Sequence, residues 1–183
     1  MRKINIFYLC IICSLLPSCS TWKKTLKSVA NTENAIENSI IDFSHTSKLW
    51  KKNMVFSIKV TDLDEKIIVA IVAADDYDIY PRKENKMGTF DSIFPTKYVV
   101  KNNKLFFWND STQAITQDII SVLEKYNKID WHWEQESAFP PYLRDDGIEG
   151  VIYYFCKNDL INYKKSGVSN IRRHYKTPIL KCN

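Results

Sequence analysis

A chain of 183 residues with 45% hydrophobic, 26% charged and 13% aromatic residues has the size and balance of one globular domain. That balance excludes a disordered chain, a collagen-like fibre and a multi-spanning membrane protein. Its formal charge is +5, and its four glycines (Gly88, Gly147, Gly150, Gly167) are too dispersed for a dinucleotide-binding turn or a P-loop, both of which need clustered glycines so that backbone can approach phosphate. No cofactor is expected.

The first residues carry the most specific pattern. Arg2 and Lys3 precede an apolar stretch over residues 4–16, too short to span roughly 30 Å of hydrocarbon as a helix and of the length of a signal peptide's central region. The run Leu15-Leu16-Pro17-Ser18-Cys19 resembles the lipobox of bacterial lipoproteins, with Pro17 a less common occupant of its position. The resemblance implies cleavage between Ser18 and Cys19, a diacylglycerol on the Cys19 thiol and an acyl group such as palmitate on its new amine. Residues 1–18 are then the signal peptide, residues 19–31 a lipidated tether and residues 32–183 a single domain. Each buried methylene contributes about 0.8 kcal/mol, so several acyl chains hold where one is marginal. Ser20 resembles the residue that sorts lipoproteins to the outer membrane. The absence of acids at Trp22, Lys23 and Lys24 favours a periplasm-facing protein over a surface-exported one. A plain secretory signal or a short anchor is the competing reading.

Loss of residues 1–18 removes Arg2 and Lys3, two of the five net positive charges, together with Cys10 and Cys13. With Cys19 lipidated, Cys156 and Cys182 are left, and two cysteines in an oxidising compartment read as one disulfide. Its loop of about 27 residues stabilises the fold by roughly 3 to 4 kcal/mol on the chain-entropy account. A nucleophilic Cys156 or a metal pair are the alternatives.

In chain order, Trp22, Leu26 and Val29 alternate with Lys23, Lys24 and Lys27, a tether or a short amphipathic face against lipid. Ile36, Ile40 and Phe43, with Glu33 and Glu37 early, predict a helix over residues 33–44. Met54, Phe56, Ile58 and Val60 alternate as in a half-buried strand. Residues 62–65 form a polar turn, and residues 67–73 read as a central strand covered on both faces. Residues 74–95 are polar and irregular. Residues 98–100 and 105–108 flank Asn102-Asn103, a pair suited to a tight hairpin turn. Ile115, Ile119, Leu123 and Tyr126 mark a helical face capped at Ser111, Thr112 or Thr116 and ended by Asn127. Residues 151–156 are another inner strand, residues 159–163 a short helical or turn segment, and residues 175–182 are extended. The fold class is α+β: an antiparallel sheet of about five strands, from two hairpins plus a C-terminal strand, with two main helices on one face.

The elements Gly150 to Lys157 (GVIYYFCK) and His174 to Cys182 (HYKTPILKC) resemble those of uncharacterised Bacteroidetes lipoproteins. The resemblance covers the last third of the chain and implies lineage, with no catalytic residues.

Asp130, Trp131, His132, Trp133 and Glu134 are the most suggestive run. In extended form, alternation places Asp130, His132 and Glu134 on one side and the indoles on the other. The three polar groups then spread over about 13 Å, too far to share one tetrahedral ion, so no metal is expected. The indoles continue into Phe139, Pro140, Pro141 and Tyr142, broad apolar area at low entropy cost, suited to a protein or glycan partner. Strand and helix residues (Phe56, Ile58, Ile67, Ile71, Val151, Phe155, Ile36, Ile40, Ile119, Leu123) already fill a core, which leaves the indoles in surplus. The alternative for them is closing the core edge.

Residues 62–78 hold six acids (Asp62, Asp64, Glu65, Asp75, Asp76, Asp78) against Lys66. Residues 164–183 hold six bases (Lys164, Lys165, Arg172, Arg173, Lys176, Lys181) and no acid. These are two solvated faces or two docking surfaces. Nucleic acid is not an expected partner of an exported lipoprotein. The sequence thus favours a lipid-anchored binding or shielding module without catalysis. The alternatives are an immunity lipoprotein that meets a delivered toxin through residues 62–78, and a small envelope hydrolase using His132 with Glu134 or Asp130, although no Gly-x-Ser-x-Gly elbow occurs.

Overall fold

A computed structural model describes residues 21–75, 79, 94–129, 149–169, 178 and 180–182. Six strands form one sheet: β1 (Val55–Asp62), β2 (Lys66–Ala73), β3 (Lys97–Lys101), β4 (Lys104–Trp108), β5 (Glu149–Cys156) and β6 (Asp159–Ser169). Their order is β3-β4-β1-β2-β5-β6. The helices are α1 (Thr32–Thr46), the single turn α2 (Leu49–Lys52) and α3 (Gln117–Lys125), preceded by a 3-10 turn over Thr21–Thr25.

The architecture is α+β, with three corrections to the expected arrangement. The sheet has six strands in three hairpins. It is mixed, because β1 and β4 run parallel while every other neighbouring pair is antiparallel. And α1 and α3 cover opposite faces. Phe106 of β4 packs under α1 with Phe56, Ile58, Ile67, Val69, Ile71, Tyr153 and Phe155. Its neighbours Leu105 and Phe107 point the other way and pack with Val55, Phe94, Ile119 and Leu123. The period-two alternation of a strand thus feeds two cores.

Under α1 the centre is aromatic. Phe43 meets Phe56 edge-on at 5.0 Å between centroids, and Phe56 stacks on Phe106 at 4.9 Å. Trp50 of α2 stacks beyond Phe106 at 6.0 Å, with the Lys104 ammonium 5.2 Å above its ring. Of the expected core residues all are buried except Val151, which packs half-buried against the others.

Local signals held where they were chemical. Asn102 and Asn103 take the positive φ angles of a tight turn, and Asn127 does so just beyond α3. Asn31 caps α1, its side-chain oxygen accepting the Asn34 N–H at 2.7 Å. Ile115, by contrast, is exposed and precedes α3, whose cap position is Thr116. The segment expected as a helix or turn after Lys157 is instead the 11-residue edge strand β6. Its first residue accounts for the turn-like reading, since the Asp159 carboxylate accepts the Ile161 and Asn162 N–H groups at 2.9 and 3.1 Å.

Gly150 shows how tightly β5 meets β2. A Cβ there would lie 2.6 Å from the Ile71 carbonyl oxygen, whereas one at Gly167 on the outer strand would meet nothing within 4 Å. Gly150→Ala should therefore lower stability by roughly 1 to 3 kcal/mol, the usual cost of overpacking. Gly167→Ala should stay within about 0.5 kcal/mol of the parent. Urea unfolding of the two variants side by side checks this, and equal midpoints would refute it.

Candidate functional site

The most concentrated chemistry among the described residues lies between α1 and the β5–β6 hairpin. Asp42 stands between Ile41 and Phe43 on the buried side of α1 and is only 2% exposed. Burial of a carboxylate demands partners, and four donors supply them. Oδ2 accepts from the Lys165 ammonium at 2.6 Å, the Tyr153 hydroxyl at 2.9 Å and the Thr46 hydroxyl at 3.0 Å. Oδ1 accepts from the Tyr163 hydroxyl at 2.6 Å. Lys165 also donates to Thr46 Oγ1 at 2.7 Å and lies 6.0 Å from the Tyr153 ring centroid.

Burial alone would raise the Asp42 pKa, but the hydrogen bonds from Lys165, Tyr163 and Tyr153 outweigh it and hold the carboxyl below its ordinary value. Tyr153 and Tyr163 shift the opposite way, pushed above the phenol range by burial and by the Asp42 charge that their hydroxyls face. The arrangement is an ionised acid held by donors that stay protonated. Such a set pins elements together, and it does not offer a proton acceptor poised near neutral pH.

Asn38, one helical turn earlier, does the same for a different partner. Its side chain accepts the Lys27 N–H at 2.7 Å, donates to the Lys27 carbonyl at 2.9 Å and donates to the Leu160 carbonyl at 3.3 Å. Asn34 donates to the Val29 carbonyl at 2.8 Å, and the Trp22 indole stacks on His45 with centroids 5.3 Å apart. Residues 22–29, part of the stretch expected as a tether, therefore run back along α1 antiparallel to it.

Cys156, at the end of β5, and Cys182 are joined as a disulfide with Cα atoms 5.4 Å apart, inside the range that a disulfide permits. The other sequence-derived site residues, Cys19, Trp131, His132, Trp133, Glu134, Phe139 and Tyr142, lie outside the described residues, as does Asp130. The acidic run does not make one surface. Asp62, Asp64 and Glu65 sit at the β1–β2 turn, where Asp62 pairs with Lys157 at 2.6 Å. Asp75 lies beyond the far end of the eight-residue β2, about 26 Å along the strand, and its carboxylate accepts the Met54 N–H at 3.0 Å. Asp76 and Asp78 lie outside the described residues, as do Arg172, Arg173 and Lys176 of the basic run. Among the described residues no three His, Cys, Asp or Glu side chains form a metal-binding group.

Asp42, Tyr153, Tyr163 and Lys165 were missed by sequence reasoning. The one available signal was Asp42 itself, an acid set within the apolar stripe of a helix. Its partners on β5 and β6 come from 111 to 123 residues away and leave no local trace.

In comparison with known proteins, no family model matches the chain, and no curated protein or solved structure matches it.

A lowered acid pKa stabilises the fold fully above the unfolded value near pH 4 and loses that contribution as pH falls towards the folded value. Stability should accordingly drop as pH falls below about 4, and Asp42→Asn should shallow that drop. At pH 7 the same substitution should cost about 2 to 3 kcal/mol, the scale of hydrogen bonds to a charged group, since Lys165 can regain water. Urea midpoints across pH for both proteins test this. An unchanged acid limb would show that Asp42 titrates alike in folded and unfolded chains.

Proposed function

We propose that this chain is an envelope lipoprotein, anchored in the outer membrane through acyl groups on Cys19 and facing the periplasm, whose domain binds or shields a partner and does not catalyse. The observation that carries the exported-compartment part of this reading is the Cys156–Cys182 disulfide, a bond that persists in oxidising surroundings. The lipobox-like run ending at Cys19 supplies the anchor, and the short apolar stretch before it supplies the export signal. The buried acid, engaged by four donors, is given a structural role in this reading. The partner surface is assigned to the aromatic stretch containing Trp131, His132, Trp133, Glu134, Phe139 and Tyr142, on the sequence argument that strand and helix residues already fill a core without its indoles. The partner is a protein or a glycan, both of which suit exposed indoles beside a Pro-Pro segment.

The anchor is tested by replacing Cys19 with serine and fractionating cells. The parent should remain in the membrane pellet and carry the acyl mass, and the variant should leave the pellet. A Cys19→Ser protein that pellets at the parent level would refute lipidation at this residue.

The disulfide also has a stability consequence in that compartment. Reduction of the native protein should lower unfolding stability by roughly 3 kcal/mol for a loop of 26 residues in sequence separation. Chemical denaturation with and without reductant measures it, and coincident curves would remove the tail's share in holding the fold.

A further inference from the structure

We propose that the end of the domain at the C-terminus of α1 is a membrane-apposed face, laid against the anionic phospholipid head groups of the bilayer that receives the Cys19 acyl chains. The inference rests on the lipoprotein reading above and adds to it an orientation and a lipid chemistry.

Connectivity places the anchor at this end. Trp22 is fixed on His45 in the last turns of α1. Thr21 follows Cys19 by two residues, so their Cα atoms are at most about 7.6 Å apart. The acylated cysteine therefore leaves the domain beside the α1 C-terminus, with no length of chain to let the domain drift away.

Charge at this end matches an anionic surface. Lys23 and Lys24 on the 3-10 turn are exposed, as are Lys48, Lys51 and Lys52 around α2, which follows directly on α1. None of these five forms a salt bridge among the described residues. Lys104 belongs to the same end, donating to the Asn53 carbonyl at 2.6 Å. Among the described residues the acids there are largely engaged: Asp42 under Lys165, and Asp75 on the Met54 N–H. Glu149 at the start of β5 stays exposed. The opposite end of α1, about 22 Å away over its 15 residues, carries Glu33 and Glu37, paired with Lys97 and Lys27, and beside it the turn with Asp64, Glu65 and Asp62, the last paired with Lys157 and tied to α1 by the Thr32 hydroxyl. Among the described residues, lysines without an ion pair thus gather at the anchor end of α1, while the acids of the opposite end are largely paired.

Five lysines acting alone over a Debye length of about 8 Å give weak and salt-sensitive attraction. Held at the bilayer by acyl chains, the same lysines work at a fixed high effective concentration, so their attraction sets orientation more than affinity. Half-buried Trp22 fits the interfacial zone where indoles concentrate. The acidic turn then faces away from the membrane.

The test uses the full chain purified from membranes, with its intact mass recording acylation. It is reconstituted in vesicles of phosphatidylcholine alone or of phosphatidylcholine with about 30% phosphatidylglycerol, an anionic content that gives a substantial surface potential. A water-soluble amine reagent then labels lysines, read residue by residue. Labelling of Lys23, Lys24, Lys48, Lys51 and Lys52 should fall about 3-fold in the anionic vesicles and recover in about 0.5 M salt, where the attraction is screened. Exposed Lys59 on the sheet and Lys125 on α3 should not change. Equal labelling of the five lysines in both vesicles overturns the proposal, whatever the mass at Cys19. An acylated chain with that result keeps its anchor and loses the face. A chain without acyl mass that still shows salt-sensitive protection on the anionic vesicles keeps the face and loses the anchor.

Discussion

The carboxylate of Asp42 is the constraint on which the described structure turns. An ionised acid at 2% exposure is tolerable only if donors replace the water it has lost. Three of its four donors come from β5 and β6, so the charge dictates how α1 sits on that hairpin. The effect is largest for β6, an edge strand with few apolar residues to fix its register. A slip by one residue would carry Tyr163 and Lys165 together to the other face of the sheet and leave Asp42 buried with little but Thr46 and Tyr153. A buried ion pair is weak evidence of net stability, because apolar packing of the same volume can do as well. Its contribution here is to make one pairing of helix and strand far better than its neighbours.

Asn38 extends the same device. By holding both the N–H and the carbonyl of Lys27, and the Leu160 carbonyl as well, it ties the N-terminal segment and the start of β6 to one helix. α1 therefore gathers three stretches distant in sequence, and its direction fixes where the N-terminal segment emerges. At the other end of the β5–β6 hairpin's base strand, the Cys156–Cys182 disulfide returns the tail to β5. The tail and the N-terminal segment are thus each fixed to the β5–β6 side, one covalently and one by hydrogen bonds, while the β3–β4 hairpin is joined to β1 through the parallel pair.

What the sequence made legible follows from the range of the forces involved. Turn chemistry is local, so Asn102-Asn103 and the stop at Asn127 were readable from residue type. The α1 stripe and the alternation of β1 were readable because each repeats the same burial every turn or every second residue. The disulfide followed from counting cysteines once Cys19 was assigned to lipid. The two-faced core did not follow, since Leu105, Phe106 and Phe107 form an unbroken apolar run that does not say which face each helix covers. The parallel β1–β4 pair joins two hairpins far apart in sequence. β6 was misread because Asp159 carries turn chemistry at its start and the residues after it are largely polar, as an edge strand allows. The polar cluster was hidden because each member looks ordinary until long-range pairing brings them together.

The claim that Asp42 fixes the β5–β6 hairpin to α1 is tested most directly by a double-mutant cycle on its charged contact. Urea unfolding at pH 7 of the parent, Asp42→Asn, Lys165→Met and the double variant yields the energy by which the two residues depend on each other. The account predicts that the double variant is more stable than the sum of the single losses allows, with a coupling of about 1.5 to 3 kcal/mol, the range for a hydrogen bond to a charged group. Losses that add to within about 0.5 kcal/mol would contradict it, because residues that act independently add in that way.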